Sequence, residues 1–169
     1  VEGSEDRFYA PISKEGDCGA TYMQMGRNKL GFTLNPRTEE GRKIVRELVA
    51  TADIVVANLP PQTLSSMALD YETLKQIKPD IILTTNSAFG SGGPYSERVG
   101  FDGIGQAMSG AMYLSGWPDQ PQKIYPPYVD FGTALYSTVG TLAALMKKSE
   151  TGEGTLVETS LLRTAISFN

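Results

Sequence analysis

The chain has 169 residues, 40% of them hydrophobic and 20% charged, with a net charge of −4. That is enough apolar material for one domain with a real core, and there is no basic surplus for a nucleic-acid groove. The absence of histidine and the presence of one cysteine, Cys18, exclude Ser-His-Asp and Cys-His catalysis, histidine-built metal sites and an internal disulfide.

Residues 1–28 are Gly-rich and polar with little periodicity, and read as a long loop. "KLGFTL" (29–34) alternates and predicts a short strand. Over 35–52, Thr38 is placed as N-cap with Glu39 and Glu40 in the first turn, and Ile44, Val45, Leu48 and Val49 recur at helical spacing. "DIVVAN" (53–58) and "PDIILTTN" (79–86) are β-branched runs that predict buried strands. Between them, 60–77 predicts two short helical pieces, the second capped by Asp70. "SAFGSGGPYSERVG" (87–100) is a Gly-rich loop, and 101–116 predicts a helix capped by Asp102. "YPPYVDFGTALYSTVGTLAALM" (125–146) follows, and 154–168 predicts a strand and then a helix. Strands that are continuously apolar and alternate with helices imply an α/β fold: a Rossmann-like parallel sheet with helices on both faces.

The longest apolar stretch, Phe131 to Met146, is interrupted by Gly132, Thr133, Ser137, Thr138, Gly140 and Thr141. It falls short of the ~20 mostly apolar residues of a membrane span and reads as a buried core helix. No membrane and no nucleic-acid partner is expected. The lone thiol fits a reducing compartment, hence a cytoplasmic protein. The opening on Val1-Glu2-Gly3 and the close on an apolar helical pattern suggest a piece of a longer protein.

One charge, Asp130, stands inside the 125–146 run. With Pro126 and Pro127 forcing an extended approach, Asp130 falls at the N-cap of the helix. There, free backbone N–H groups and the helix dipole would hold it ionised. One reading is a plain helix cap. The other is a carboxylate nucleophile, with small residues Gly132, Thr133 and Ala134 leaving room for a substrate. The loop "AFGSGGP" (88–94) follows a strand, where ligands bind in parallel sheets, or is a plain turn. It lacks the dinucleotide fingerprint. Arg27, Lys29 and Arg37 are either a phosphate site or a solvated basic face. Asn58 lies just beyond a strand end, and the tyrosines at 113, 125, 128 and 136 read as core or interface.

At these residues the chain resembles the class III CoA-transferase family. "GRNKLGFTLNPRTEEGRKIVRELVATADIVVANLPP" is similar to its N-R-N-K, L-D-L-K and E-N-F segments. "FGSGGPYSERVGFDGIGQAMSG" is similar to its F-G-x-x-G-P-Y…Y-D-x-x-x-Q-A-M-S-G segment. "YPPYVDFGTALYSTVGTLAAL" and "TGEGTLVETSLLRTA" match its P-x-x-D and T-G-x-G-Q-x-V-D-x-S-L segments. The resemblance implies that Asp130 is the covalent nucleophile, forming first a mixed anhydride and then an aspartyl-CoA thioester. It implies CoA contacts at Leu34, Asn35, Pro36, Arg37, Asn58, Leu59, Arg98, Val99, Gly100 and Phe101. Coenzyme A or acyl-CoA would be a substrate, with no tightly bound cofactor and no metal. The partners implied are an acyl-CoA, a small carboxylic acid and a second copy in an interlocked homodimer. Residues 1–169 would be part of the large domain, with the first strand and the C-terminal small domain outside the chain.

Asn35 and Pro36 depart from the L-D-L-K pattern, and Ala57 replaces the acid before Asn58. The family's racemase branch carries a histidine where this chain has Phe101, which argues against racemisation. An acyl-CoA isomerase or lyase, and a non-catalytic CoA-binding homologue, are the rival readings.

Overall fold

The computed structural model describes residues 5–14 and 18–169, and the chain divides into two compact units, Val1–Asn35 and Pro36–Asn169. The family match at Val1-Glu2 and parts of the expected 1–28 loop lie outside the described residues.

In the first unit the sequence predicts a loop, but a 3-10 turn (Glu5–Phe8) and helix α1 (Ala20–Met25) form instead. They are tied by the Gly19 amide donating to the Arg7 carbonyl at 2.6 Å and by the Arg7 guanidinium 4.1 Å over the Tyr22 ring. These long-range contacts leave no periodic trace. The strand expected over 29–34 does not form. Among the described residues nothing pairs with it, and its alternation leaves Leu30 and Phe32 in solvent.

The second unit follows the predicted order. Helix α2 (Glu39–Thr51) leads to β1 (Ile54–Ala57), α3 (Pro61–Ser66), α4 (Tyr71–Ile77) and β2 (Ile82–Ser87). Then come α5 (Asp102–Met108), α6 (Ala111–Ser115), α7 (Tyr128–Thr151), β3 (Thr155–Ser160) and α8 (Leu161–Ser167). The strands form a parallel sheet in the order β1-β2-β3, with Ile54 opposite Ile82 and Ile82 opposite Thr155. Thr38 caps α2 through the Gly41 amide (3.1 Å), and Asp70 caps α4 through the Thr73 amide (3.1 Å), as the sequence predicts. The helix predicted over 101–116 is broken into α5 and α6 by Gly110, whose φ of 87° admits a residue without a side chain most easily.

Alternation along β2 sorts its side chains between two layers. Ile81 and Leu83 face one way and pack with Val49 of α2 and Leu74 of α4. Of the apolar positions predicted on α2, Val49 is buried and Val45 half-buried, while Ile44 and Leu48 are exposed. Thr84 and Asn86 face α7, whose inner face is made of small and hydroxyl residues. Thr84 and Thr141 hydroxyls meet at 2.6 Å, Ser137 bonds Asn86 and Thr159, and Thr133 donates to Thr164 at 2.9 Å.

This corrects the expected burial of α7. The stripe Phe131, Leu135, Val139, Leu142 and Leu145 is exposed, and the buried positions are Val129, Gly132, Thr133, Ser137 and Ala144. Small side chains let the helix lie close on the sheet, and buried hydroxyls there satisfy one another. At the far end of α7, Lys148 binds Asp80 at 2.7 Å and Asp53 at 3.4 Å. That hydrogen bond holds the Asp80 carboxyl below the ordinary range and lifts Lys148 above its own. Among the described residues no helix is long and apolar enough to cross a membrane.

Leu74 is fully buried whereas Ile44 is 43% exposed. Leu74→Ala is expected to cost about 3 kcal/mol in chemical denaturation and Ile44→Ala less than about 1 kcal/mol.

Candidate active site

The three strands end on one side of the sheet, and the segments that leave them are stitched together there. The Gln62 amide at the start of α3 donates to Glu97 at 3.1 Å. The Leu162 amide of α8 donates to the Ala88 carbonyl at 3.0 Å, and the Arg163 guanidinium lies against Gly90. In open parallel sheets this edge is where ligands bind.

Helix α7 extends past that edge. Ser137 is level with Asn86 near the end of β2. Asp130 lies seven residues earlier, about 10 Å further along the axis at ~1.5 Å per residue. Its first turn packs on α5 and α8: a side chain at Gly105 would stand 2.9 Å from Val129 Cγ1, and one at Gly132 would collide with Phe168.

Asp130 is not the cap of this helix. Helix α7 begins at Tyr128 with Pro127 as N-cap, so Asp130 is the third helical residue. The first free amides are taken by another carboxylate. Asp102 Oδ2 accepts from the Val129 N–H at 2.8 Å and the Asp130 N–H at 3.3 Å. Asp102 is only 4% exposed. Its Oδ1 accepts from Gln106 Nε2 at 2.5 Å and lies 3.4 Å from Lys123 Nζ. The sequence predicts Asp102 as N-cap of its own helix. In the structure Phe101 holds that position, and the Asp102 side chain serves α7.

Among the described residues no hydrogen-bond donor or ion-pair partner reaches the Asp130 carboxyl. The residue is open to solvent on one side. Even so, the protein behind it withdraws enough water to lift its carboxyl above the ordinary range; the Asp102 charge adds to the rise and Lys123 opposes it. This reverses the expectation that the helix start holds Asp130 readily ionised, because Asp102 occupies the amides that would have done so. Tyr128 is also pushed up, by burial and then by Asp102.

The residues expected to contact CoA divide into groups. Leu34 and Asn35 close the first unit, and Pro36 and Arg37 open the second. Asn58 is exposed and Leu59 half-buried just beyond β1, where the Gln62–Glu97 bond draws the β1 and β2 exits together. Arg98 lies 4.6 Å over the Tyr95 ring, and Gly100 faces Ala88. Val99 and Phe101 are 77% and 81% exposed, and the next residue, Asp102, ties this stretch to the start of α7. Arg98 to Phe101 and Asp130 thus share one corner. Arg27 and Lys29 instead donate to carbonyls of α1, Gln24 and Met25, in the first unit. Sequence reasoning missed the roles of Asp102, Gln106 and Lys123; the four-residue spacing of Asp102 and Gln106 on one helix was the available signal.

A raised carboxyl binds its proton more tightly in the folded chain than in the unfolded one, so its ionisation opposes folding once pH exceeds the ordinary carboxylate value. Asp130→Asn is therefore expected to raise the unfolding midpoint at neutral pH. The gain should vanish at acid pH, where Asp130 is protonated in both states; thermal melts at the two pH values check this.

Comparisons with known proteins show the family. The family model "CoA-transferase family III" matches residues 1–169. Human succinyl-CoA:glutarate CoA-transferase is 34% identical, over 98% of this chain and 38% of its own length. Succinate–glutarate CoA-transferase of Agrobacterium fabrum is 37% identical, over 95% of this chain and 42% of its own. The crystal structure of a CaiB/BaiF family protein from Brucella suis superposes with a TM-score of 0.90 at 40% identity, over 98% of this chain and 45% of that one. The chain thus spans about two-fifths of the length of these relatives. It belongs to CoA-transferase family III.

Proposed function

We propose that the full-length protein moves CoA from an acyl-CoA thioester to a carboxylic acid, with Asp130 as the covalent nucleophile. The observation that carries this reading is that Asp102 caps α7, which leaves the Asp130 carboxyl unengaged at the ligand-binding edge of the sheet. A carboxylate lifted above the ordinary range is also a better nucleophile once ionised.

In the first step an Asp130 oxygen attacks the thioester carbonyl, the C–S bond breaks, and CoA leaves as thiolate with a mixed anhydride on Asp130. The thiolate then attacks the aspartyl carbonyl of that anhydride and expels the donor acid as carboxylate, giving an aspartyl-CoA thioester. The acceptor carboxylate attacks this thioester and again releases the thiolate. The thiolate takes the acceptor acyl group, and Asp130 returns as carboxylate. No external oxidant, reductant or metal is required, and no tightly bound cofactor takes part.

Pro36, Arg37, Asn58, Leu59 and Arg98 to Phe101 are the CoA contacts of this reading within the second unit, with Leu34 and Asn35 at the end of the first. The relatives' names point to small dicarboxylic acids, so succinyl-CoA and glutarate are the pair to try first. We assign the protein to the cytoplasm and to a homodimer. The exposed stripe of Leu135, Val139, Leu142 and Met146 provides an apolar surface for further protein contacts. Racemisation is disfavoured, since Phe101 offers no proton and the chain has no histidine.

In the full-length protein, Asp130→Ala is expected to lower transfer by a factor on the order of 10³ or more while the circular dichroism spectrum is unchanged. Acyl-CoA should be consumed only when an acceptor acid is present. Equal consumption without acceptor identifies a lyase or isomerase and refutes the transferase reading.

A further inference from the structure

We infer that Asp102 is a positioning residue for Asp130: its buried carboxylate, held by Gln106 and Lys123, caps the first turn of α7 and fixes where the Asp130 side chain stands and what charge it faces. The catalytic consequence rests on the function proposed above; the physical coupling does not.

An aspartate in the first turn of a helix ordinarily serves that helix. Asp102 is the first residue of α5, yet none of its hydrogen bonds goes to a backbone amide of α5; its oxygens are spent on the Val129 and Asp130 amides, the Gln106 side chain and Lys123. Gln106 in turn holds the segment that enters α7 through both ends of its amide. Its Oε1 accepts from the Ile124 N–H at 2.8 Å and its Nε2 donates to the Ile124 carbonyl at 3.3 Å. Lys123 donates to the carbonyls of Ile124 and Tyr125 at 3.0 and 3.3 Å. The segment that enters α7 and the first turn itself are therefore referenced to one buried carboxylate.

That carboxylate is also a like charge beside the nucleophile. The charged groups that act on Asp130 are Asp102 from α5 and Lys123 from the entering segment; the same turn presents Tyr128, whose own proton is held by burial and Asp102, and its Gly132 meets Thr164 of α8 and Phe168 just after it, which carry no charge. Asp102 makes the Asp130 proton harder to lose, and Lys123 makes it easier. On top of the rise that burial imposes, the pair thus adjusts in opposite directions the pH at which the nucleophile becomes available.

The test uses the full-length protein, and its primary readout needs no substrate. Carbodiimide labels protonated carboxyls, so the pH dependence of labelling at Asp130, read by mass spectrometry of its peptide, reports its titration. In Asp102→Asn the amide oxygen still accepts from the Val129 N–H, but the charge is gone. The Asp130 midpoint should move to lower pH, and the acidic limb of kcat/KM should move with it. Lys123→Met alters an exposed side chain and should move the midpoint to higher pH. An unchanged midpoint in a folded Asp102→Asn protein overturns the inference. If that variant fails to fold, an unchanged midpoint in Lys123→Met overturns it. Absence of transferase activity in the wild-type protein, with both midpoints moving as expected, overturns the proposed function alone.

Discussion

The bond from Asp102 to the amides of Val129 and Asp130 is the contact on which the rest of the site depends. A helix start carries free N–H groups that must find acceptors, and a buried donor left unpaired costs about 1–3 kcal/mol. In most helices a residue of the same segment meets that need. Here a residue of a different helix does. The first turn of α7 is thereby locked to α5, and the one carboxylate that the sequence places in that turn is released from structural duty. The same bond brings a second negative charge close to Asp130, so one contact both caps α7 and adds to the rise that burial gives the Asp130 carboxyl.

The placement of Asp130 also follows from how α7 meets the sheet. A surface helix usually turns its apolar stripe inward. Helix α7 does the reverse within this chain: its small and hydroxyl residues face β2 and β3, while Leu135, Val139 and Leu142 face out. Hydroxyl pairs at Thr141, Ser137 and Thr133 fix its position along the strands, and Lys148 anchors its far end to Asp53 and Asp80. With the helix held at several points, its first turn projects beyond the strand ends as a rigid overhang. The Asp130 side chain mounted there is oriented by the scaffold rather than by a loop.

Much of this was legible in the sequence where local chemistry decides. The β-branched runs became β1 and β2, Thr38 and Asp70 capped the helices they were expected to cap, and the parallel order followed from the alternation of strand and helix. Asp130 stood out by its isolation among apolar residues, and its role as nucleophile is the reading proposed above. What was not legible depended on contacts distant in sequence. The alternation of 29–34 resembles a strand, but a strand exists only with a partner. The apolar stripe of α7 reads as core, because periodicity identifies a face without saying which way it points. Asp102 reads as the cap of its own helix, since nothing local reveals that α5 and α7 meet where Gly105 touches Val129.

The most direct measurement is to incubate the full-length protein with succinyl-CoA, trap with hydroxylamine, and locate the modified residue by mass spectrometry. The account predicts a hydroxamate on Asp130 that depends on acyl-CoA and is absent from free CoA controls. A protein that turns over the thioester while Asp130 stays unmodified, or that carries the adduct on another side chain, would contradict it.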